Sequence, residues 1–446
     1  MDPGAALPVS PARPRITRVA SVSLAAAVVA ILLTAVAADA KRNVIRRISV
    51  SSRGRQANGN SFGPALSADG RFVAFRSKAS NLVPDDTNRV QDIFVRDRRT
   101  GTTTRVSVAD DDSEANADSG GAAISADGRI VAFWSNASNL VPGDTYGRTD
   151  VFVRNRIAGT TTRVSVSTTG GQANAESRQP ALSGDGAIAA FRSDASNLVA
   201  HDTNETGDIF VHDRRTGETT RVSVSSRGGQ PNGRSRDPAL NASGRFVAFR
   251  SEASNLAPHD TNRVGDIFVH DRKTGATTRA SIDSRGRGAS GCGVTGCGCD
   301  PVLSADGRFV SFWSSATNLV PADTNGAWDV FVRDLRRRRT TRVSVWSGGS
   351  QGRGSSGEPW LSGNGRVVAF ASRAPLTVED VNGDWDVYIH DRRTGLTTPV
   401  TGGQAGGIST DPVLSLDGRF VAFYSYATRL VAGDTNRRAD VFVLRR

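Results

Sequence analysis

The chain has 446 residues and a net charge of +12; 37 % are apolar, 6 % are aromatic, 47 are Gly, and a single Met stands at the start. That apolar content suffices for a core, which excludes a polytopic membrane protein and, with regularly spaced apolar clusters, wholesale disorder. A chain this rich in Gly, Ser, Thr and Val reads as all-β. Residues 19–38 carry no charge, follow Arg13, Arg15 and Arg18, and lead to the small residues Ala35, Ala37, Ala38 and Ala40. A basic start, an apolar middle and small residues before a cut near Ala37 or Ala40 predict a signal peptide over 1–40. The same run is long enough to remain as a membrane anchor. Either way residues 41–446 are expected outside the cytoplasm: periplasmic, extracellular, or anchored on the outer side.

The next element, Ser67-Ala68-Asp69-Gly70-Arg71-Phe72-Val73-Ala74-Phe75, returns in seven copies whose turn glycines are Gly70, Gly128, Gly186, Gly244, Gly307, Gly365 and Gly418. Their spacings of 58, 58, 58, 63, 58 and 53 residues mark an array. Repeats fall near 63–108, 121–166, 179–224, 237–282, 300–345, 358–401 and 411–446. Within a copy, PALS enters a first strand, Ala-Asp-Gly is a tight turn, RFVAFRS is a second strand, DIFVRD a third, and TTTRVSV a fourth. Apolar residues at nearly every position of strands two and three predict burial on both faces, as in stacked four-stranded sheets around an axis. The last copy lacks its fourth strand, and residues 44–50 match the missing segment, so the N-terminus is expected to close a seven-bladed β-propeller spanning 41–446.

The pattern P-x-L-S-x-D-G-R-x-V-A-F-x-S followed by D-[IV]-F-V-x-D-x-x-T-G resembles the WD-like β-propeller repeat of TolB-type bacterial envelope proteins, over nearly all of residues 44–446. The resemblance implies an exported propeller that binds or scaffolds other proteins. TolB itself has six blades and an added N-terminal α/β domain, and neither is seen here.

No nucleophile constellation is found. Gly348-Gly349-Ser350-Gln351-Gly352 fits G-x-S-x-G but lies in a Gly/Ser-rich connection without a following helix, and the G-x-G-x-x-G matches at Gly286 and Gly352 lack a βαβ context. Of the five histidines, His212, His270 and His390 replace Arg in V-R-D-R-R, and His201 and His259 share one repeat position, so convergence on a metal is not expected. The repeated D-[TV]-N-x-x-x-D between strands two and three has two readings: turn capping by Asp and Asn, and calcium held by alternating oxygens, most of all at Asp380, Asn382, Asp384 and Asp386. Cys292, Cys297 and Cys299 all fall in the longest interval, which suggests one local disulfide and a spare thiol, or less simply a zinc site.

The first–second and third–fourth turns share one face, which the sequence makes strongly basic, densest at Arg336, Arg337, Arg338 and Arg339; the opposite face is acidic. The residue before the Pro that opens the innermost strand is Gln179, Asp237, Asp300, Glu358 and Asp411 in successive copies. These carboxylates are expected either to satisfy turn N–H groups or to crowd the channel mouth and attract a cation or basic segment, with Trp360 as an apolar contact. The sequence thus predicts a monomeric, non-catalytic binding scaffold whose partner is an envelope or extracellular protein or peptide, or an anionic surface polymer. No cofactor is required, though calcium suits the Asp/Asn loops. Nucleic acid is not expected, and membrane contact only through residues 1–40. The rival reading is a calcium-dependent hydrolase or lyase working at the channel mouth.

Overall fold

A computed structural model of the chain describes residues 1, 4, 44–290, 300–402 and 406–446. All but residues 1 and 4 of the expected signal or anchor segment, and Cys292, Cys297 and Cys299, therefore lie outside the described residues. Residues 45–446 form one compact unit, built among the described residues from strands alone. No described helix is long and apolar enough to cross a membrane.

Blade one sets the pattern: Ser61–Leu66 lies innermost, followed by Phe72–Ser77, Asp92–Asp97 and the outer Thr102–Arg105, all antiparallel. Six four-stranded sheets repeat this order, and a seventh is completed by Val44–Arg47, which pairs with Asp440–Arg445. Chain closure is therefore as expected, and Ile48 N–H reaches the Val441 carbonyl at 2.7 Å. Val73, Ala74 and Phe75 are all wholly buried because each second strand is covered by blades on both sides. In every blade an aromatic pair joins strands two and three: Phe75 on Phe94 at 5.9 Å in blade one, and Phe370 on Tyr388 at 6.1 Å in blade six. Offset rings at such distances add about 0.5–1.5 kcal/mol per pair beyond burial.

The fourth strand is shorter than its TTTRVSV pattern predicts. It ends at Arg105 because Ser107 turns inward, donating its hydroxyl to buried Asp92 and accepting the Ile93 N–H at 3.0 Å. The Ser-Ala-Asp-Gly turn behaves as its residues dictate: Asp69 Oδ1 accepts from Ser67 Oγ and from Arg71 N–H, and Gly70 takes φ +69°. A Cβ on Gly70 would lie 2.5 Å from Phe420 of blade seven, the blade before it in the ring, so the glycine serves packing as well as the turn.

One end of the axis carries a feature with only a faint sequence trace. Ala68 N–H donates to the Ala126 carbonyl, Ala126 to Gly184, Gly184 to Ala242, Ala242 to Ala305, Ala305 to Gly363, Gly363 to Leu416, and Leu416 back to Ala68, at 2.7–3.2 Å. The bonds form a closed circle. Small residues fill this turn position in all blades but the last, and a Cβ on Gly363 would lie 2.4 Å from the side chain of Leu416, the one large residue of the circle.

Candidate binding site at the channel mouth

The innermost strands enclose a channel of about 550 Å³, bounded at one end by this circle and at the other by the residues at the position of Gly63, which lies three residues into its strand. At that mouth the first strand slips register against the second, between Phe62 and Ala65 in blade one and between Gly357 and Trp360 in blade six. The slipped residue adopts φ between +52° and +60° at Gly63, Gly121, Gln179, Asp237, Glu358 and Asp411. Glycine does this freely; Gln, Asp and Glu pay about 1 kcal/mol each, strain of the kind that gathers at functional sites. A bulge of this type re-aims its side chain, and here it aims into the channel.

The mouth is asymmetric. Blades one and two carry Gly63 and Gly121, whereas blades four to seven carry Asp237, Asp300, Glu358 and Asp411. Neighbouring side chains interlock across blades: Gln179 accepts the Asp237 N–H at 3.2 Å and donates to its carboxylate, and Glu358 accepts the Asp411 N–H at 2.7 Å and the Thr410 hydroxyl. Burial in the mouth, followed by the charges of Asp237, Asp411 and Glu358, pushes the Asp300 carboxyl up to about 7, although Asp300 stays open to the channel. Burial and then Glu358 push Asp411 up to about 7 as well, with Arg76 opposing. Burial also raises Asp237, against the pull of Arg236.

Arg76, Arg192 and Arg250 stand behind these groups. Arg250 is 3 % exposed and its charge acts on both Asp237 and Asp300. The sequence reading did not single them out, yet their signal is visible: the position after the second Phe of strand two is Arg76, Trp134, Arg192, Arg250, Trp313, Ala371 and Tyr424, variable amid uniform apolar residues. Trp134 lies over the glycine half, where a Cβ on Gly121 would fall 2.6 Å from its ring. Phe62 meets Tyr424 edge-on at 5.1 Å, Tyr426 lies 6.2 Å away, and Arg76 sits 5.6 Å over Phe62. Trp360 also lines the channel.

The other sequence candidates lie elsewhere. In the Asp/Asn loops a guanidinium joins the two carboxylates, as Arg221 does with Asp202 at 2.9 Å and Asp208 at 3.3 Å. Asn204 donates its amide to Asp208 at 3.0 Å. The carboxylates thus serve an internal arginine rather than backbone N–H groups. The loop with Asp380, Asn382, Asp384 and Asp386 is the exception, having Pro399 in place of that arginine. His212, His270 and His390 each hold a threonine hydroxyl through Nδ1 at 2.9–3.0 Å, and burial lowers their pKa. None lines the channel. Among the described residues no group of three or more His, Cys, Asp or Glu is arranged to hold a metal. Ser350 lies in a turn, its carbonyl accepting the Trp346 N–H at 2.9 Å.

On the opposite face much of the positive charge is engaged. Arg71 binds Asp97 through two nitrogens at 2.7 and 3.0 Å, and Arg98 donates to the Gly70 carbonyl while lying 4.3 Å over Phe420. Arg336, Arg337, Arg338 and Arg339 remain exposed.

No protein-family model matches the chain, and no curated protein matches it. Among solved structures, an oligogalacturonate lyase in complex with manganese superposes with a TM-score of 0.53 at 11 % identity, covering 90 % of this chain and 92 % of its own. The β-propeller domain of the Trilobed protease from Pyrococcus furiosus gives 0.52 at 12 % identity, over 86 % and 95 %. That domain is described as having an open velcro topology, whereas here the two chain ends pair within one blade. TolB from Acinetobacter baumannii aligns at 15 % identity over 80 % and 66 %, with a TM-score of 0.41, too loose for argument. At these identities the likenesses establish the propeller fold and no activity.

Proposed function

We propose that the chain is a non-catalytic binding module, working outside the cytoplasm, that takes a cationic group of a peptide or protein into the acidic half of the channel mouth. The observation that carries this reading is the carboxyl arc: four consecutive blades place a carboxyl at the mouth, and Asp237, Glu358 and Asp411 hold it in a strained bulge that glycine would adopt without cost. Crowded carboxyls whose ionisation is opposed by one another gain most from an arriving ammonium or guanidinium. Tyr424, Phe62 and Trp360 offer ring faces beside them. Under this reading Asp237, Asp300, Glu358 and Asp411 supply attraction and Trp360 an apolar wall.

The test uses a hexa-arginine peptide as the probe. The wild-type protein should bind it with affinity that falls as salt rises, and the variant with Asp237→Asn, Asp300→Asn, Glu358→Gln and Asp411→Asn should bind about 10-fold or more weakly. Equal binding by the two proteins, or loss of binding only when Arg336, Arg337, Arg338 and Arg339 are reversed in charge, would refute the assignment. A second reading, catalysis at the same mouth, draws on carboxyls near neutrality, which suit general acid–base work. Cleavage of an oligogalacturonate by the wild type, abolished in Asp300→Asn, would establish that reading instead.

A further inference from the structure

Six blades bury the same three-part ion pair. The aspartate that opens strand three faces an aspartate from the preceding loop, and an arginine of the outer strand lies between them. The pairs are Arg105 with Asp86 and Asp92, Arg163 with Asp144 and Asp150, Arg221 with Asp202 and Asp208, Arg279 with Asp260 and Asp266, Arg342 with Asp323 and Asp329, and Arg47 with Asp434 and Asp440, all at 2.9–3.8 Å.

Blade six keeps both carboxylates and loses the cation. Asp380 and Asp386 are 6 % and 0 % exposed, and Pro399 occupies the arginine position. Tyr388, a phenylalanine in every other blade, donates its hydroxyl to Asp380 Oδ2, which supplies a dipole but no charge. Asp380 Oδ1 is buried with no partner among the described residues, and so is the hydroxyl of Thr377 on the same loop. Asp386 accepts from Thr401 at 2.7 Å and from Asn382 at 3.0 Å, again without a positive charge. Arg373 donates to the Gly383 carbonyl at 3.1 Å, and among the described residues it forms no ion pair with Asp380 or Asp386. Two buried carboxylates without a counter-charge are costly to hold in a fold whose other blades all neutralise the same pair.

We propose that blade six binds a calcium ion where the other six blades hold a guanidinium, with Asp380 and Asp386 as its charged ligands and neutral oxygens of the loop, Thr377 Oγ1 among them, completing its shell. The available donors are all oxygens, which suit calcium and offer nothing to a thiol- or imidazole-seeking metal. The copy differs from its siblings in the one residue that would compete with the ion.

The experiment is calcium titration of the full chain, read by calorimetric binding and by thermal melting. Wild type should bind one calcium per chain, gain about 3 °C in Tm once calcium stands about a hundredfold above Kd, and lose that gain on adding EDTA. Pro399→Arg rebuilds the arrangement of the other blades and should fold, melt at least as high as metal-free wild type, and bind no calcium. Asp380→Asn should also abolish binding. Wild type that takes up no calcium at millimolar concentration overturns the proposal, as does Pro399→Arg retaining full binding. Equal gains from magnesium and calcium would overturn the assignment of the ion.

Discussion

Gly128 and Gly143 both take positive φ, at +74° and +72°, but only the first is enclosed: a Cβ on Gly128 would lie 2.2 Å from the Phe72 ring, and one on Gly143 would meet nothing within 4 Å. Phe72 cannot yield easily, since Arg71 and Arg156 sit 4.6 and 4.9 Å over its ring. Gly128→Ala should therefore cost about 2–4 kcal/mol in chemical denaturation, strain plus overpacking, while Gly143→Ala should cost only about 1 kcal/mol of strain. Similar losses for both would show that the blade contact contributes nothing. The mouth carboxyls give a second residue-scale expectation. Asp300 and Asp411 are raised to about 7, so the folded state holds their protons more tightly than the unfolded chain. Their stabilising contribution is complete below about pH 4 and is lost as pH rises through about 7. Asp237, Glu358, Arg76 and Arg250 share the site and set the size of the effect. Asp300→Asn combined with Asp411→Asn should flatten the fall in melting temperature between about pH 4 and 7, the window set by the unfolded and folded values of these carboxyls; an unchanged slope would remove them as its source.

At the scale of the element, the N-terminal strand is the sharpest case. Ile48 and Ser49 contribute to the last blade as Val106 and Ser107 do to the first: Ser49 donates to Asp440 and accepts the Val441 N–H at 3.1 Å. Deleting residues 41–50 exposes the edge of that blade and strips Arg47 from Asp434 and Asp440, so the melting temperature should drop by about 5 °C or more. No change in a calorimetric scan would contradict the closure. This strand and the three inner strands of each blade were legible in the sequence because their apolar runs, turn glycines and fixed spacing all agree. The outer strand was overread by three residues, since Val106-Ser107-Val108 has the composition of a strand but Ser107 spends its hydroxyl on Asp92. The Asp/Asn loops were read from within the loop, and the arginine they serve, Arg105 for Asp86 and Asp92, lies on a strand that the loop motif does not contain. Of the mouth, the carboxyls were visible from their place before Pro, while the arginines behind them needed the comparison of one strand position across all copies.

For the molecule as a whole, the two ends of the channel differ in kind. Its mouth gathers carboxyls and rings from many blades, and the turns beyond its other end carry arginines that fold back onto Asp97, Asp271, Asp334 and Asp391. Between them stands the circle of amides running from Ala68 through Leu416 and back. Its bond dipoles run around the axis instead of along it, so they cancel and leave no field pulling a charge through. Under the proposed reading, a cation drawn in at the mouth gains nothing from this waist, and the turns beyond it present arginines whose carboxylate partners are already engaged. If the mouth binds a cation as proposed, the pore serves as a cup with a preferred direction of approach, suited to capture and release through one opening and not to passage.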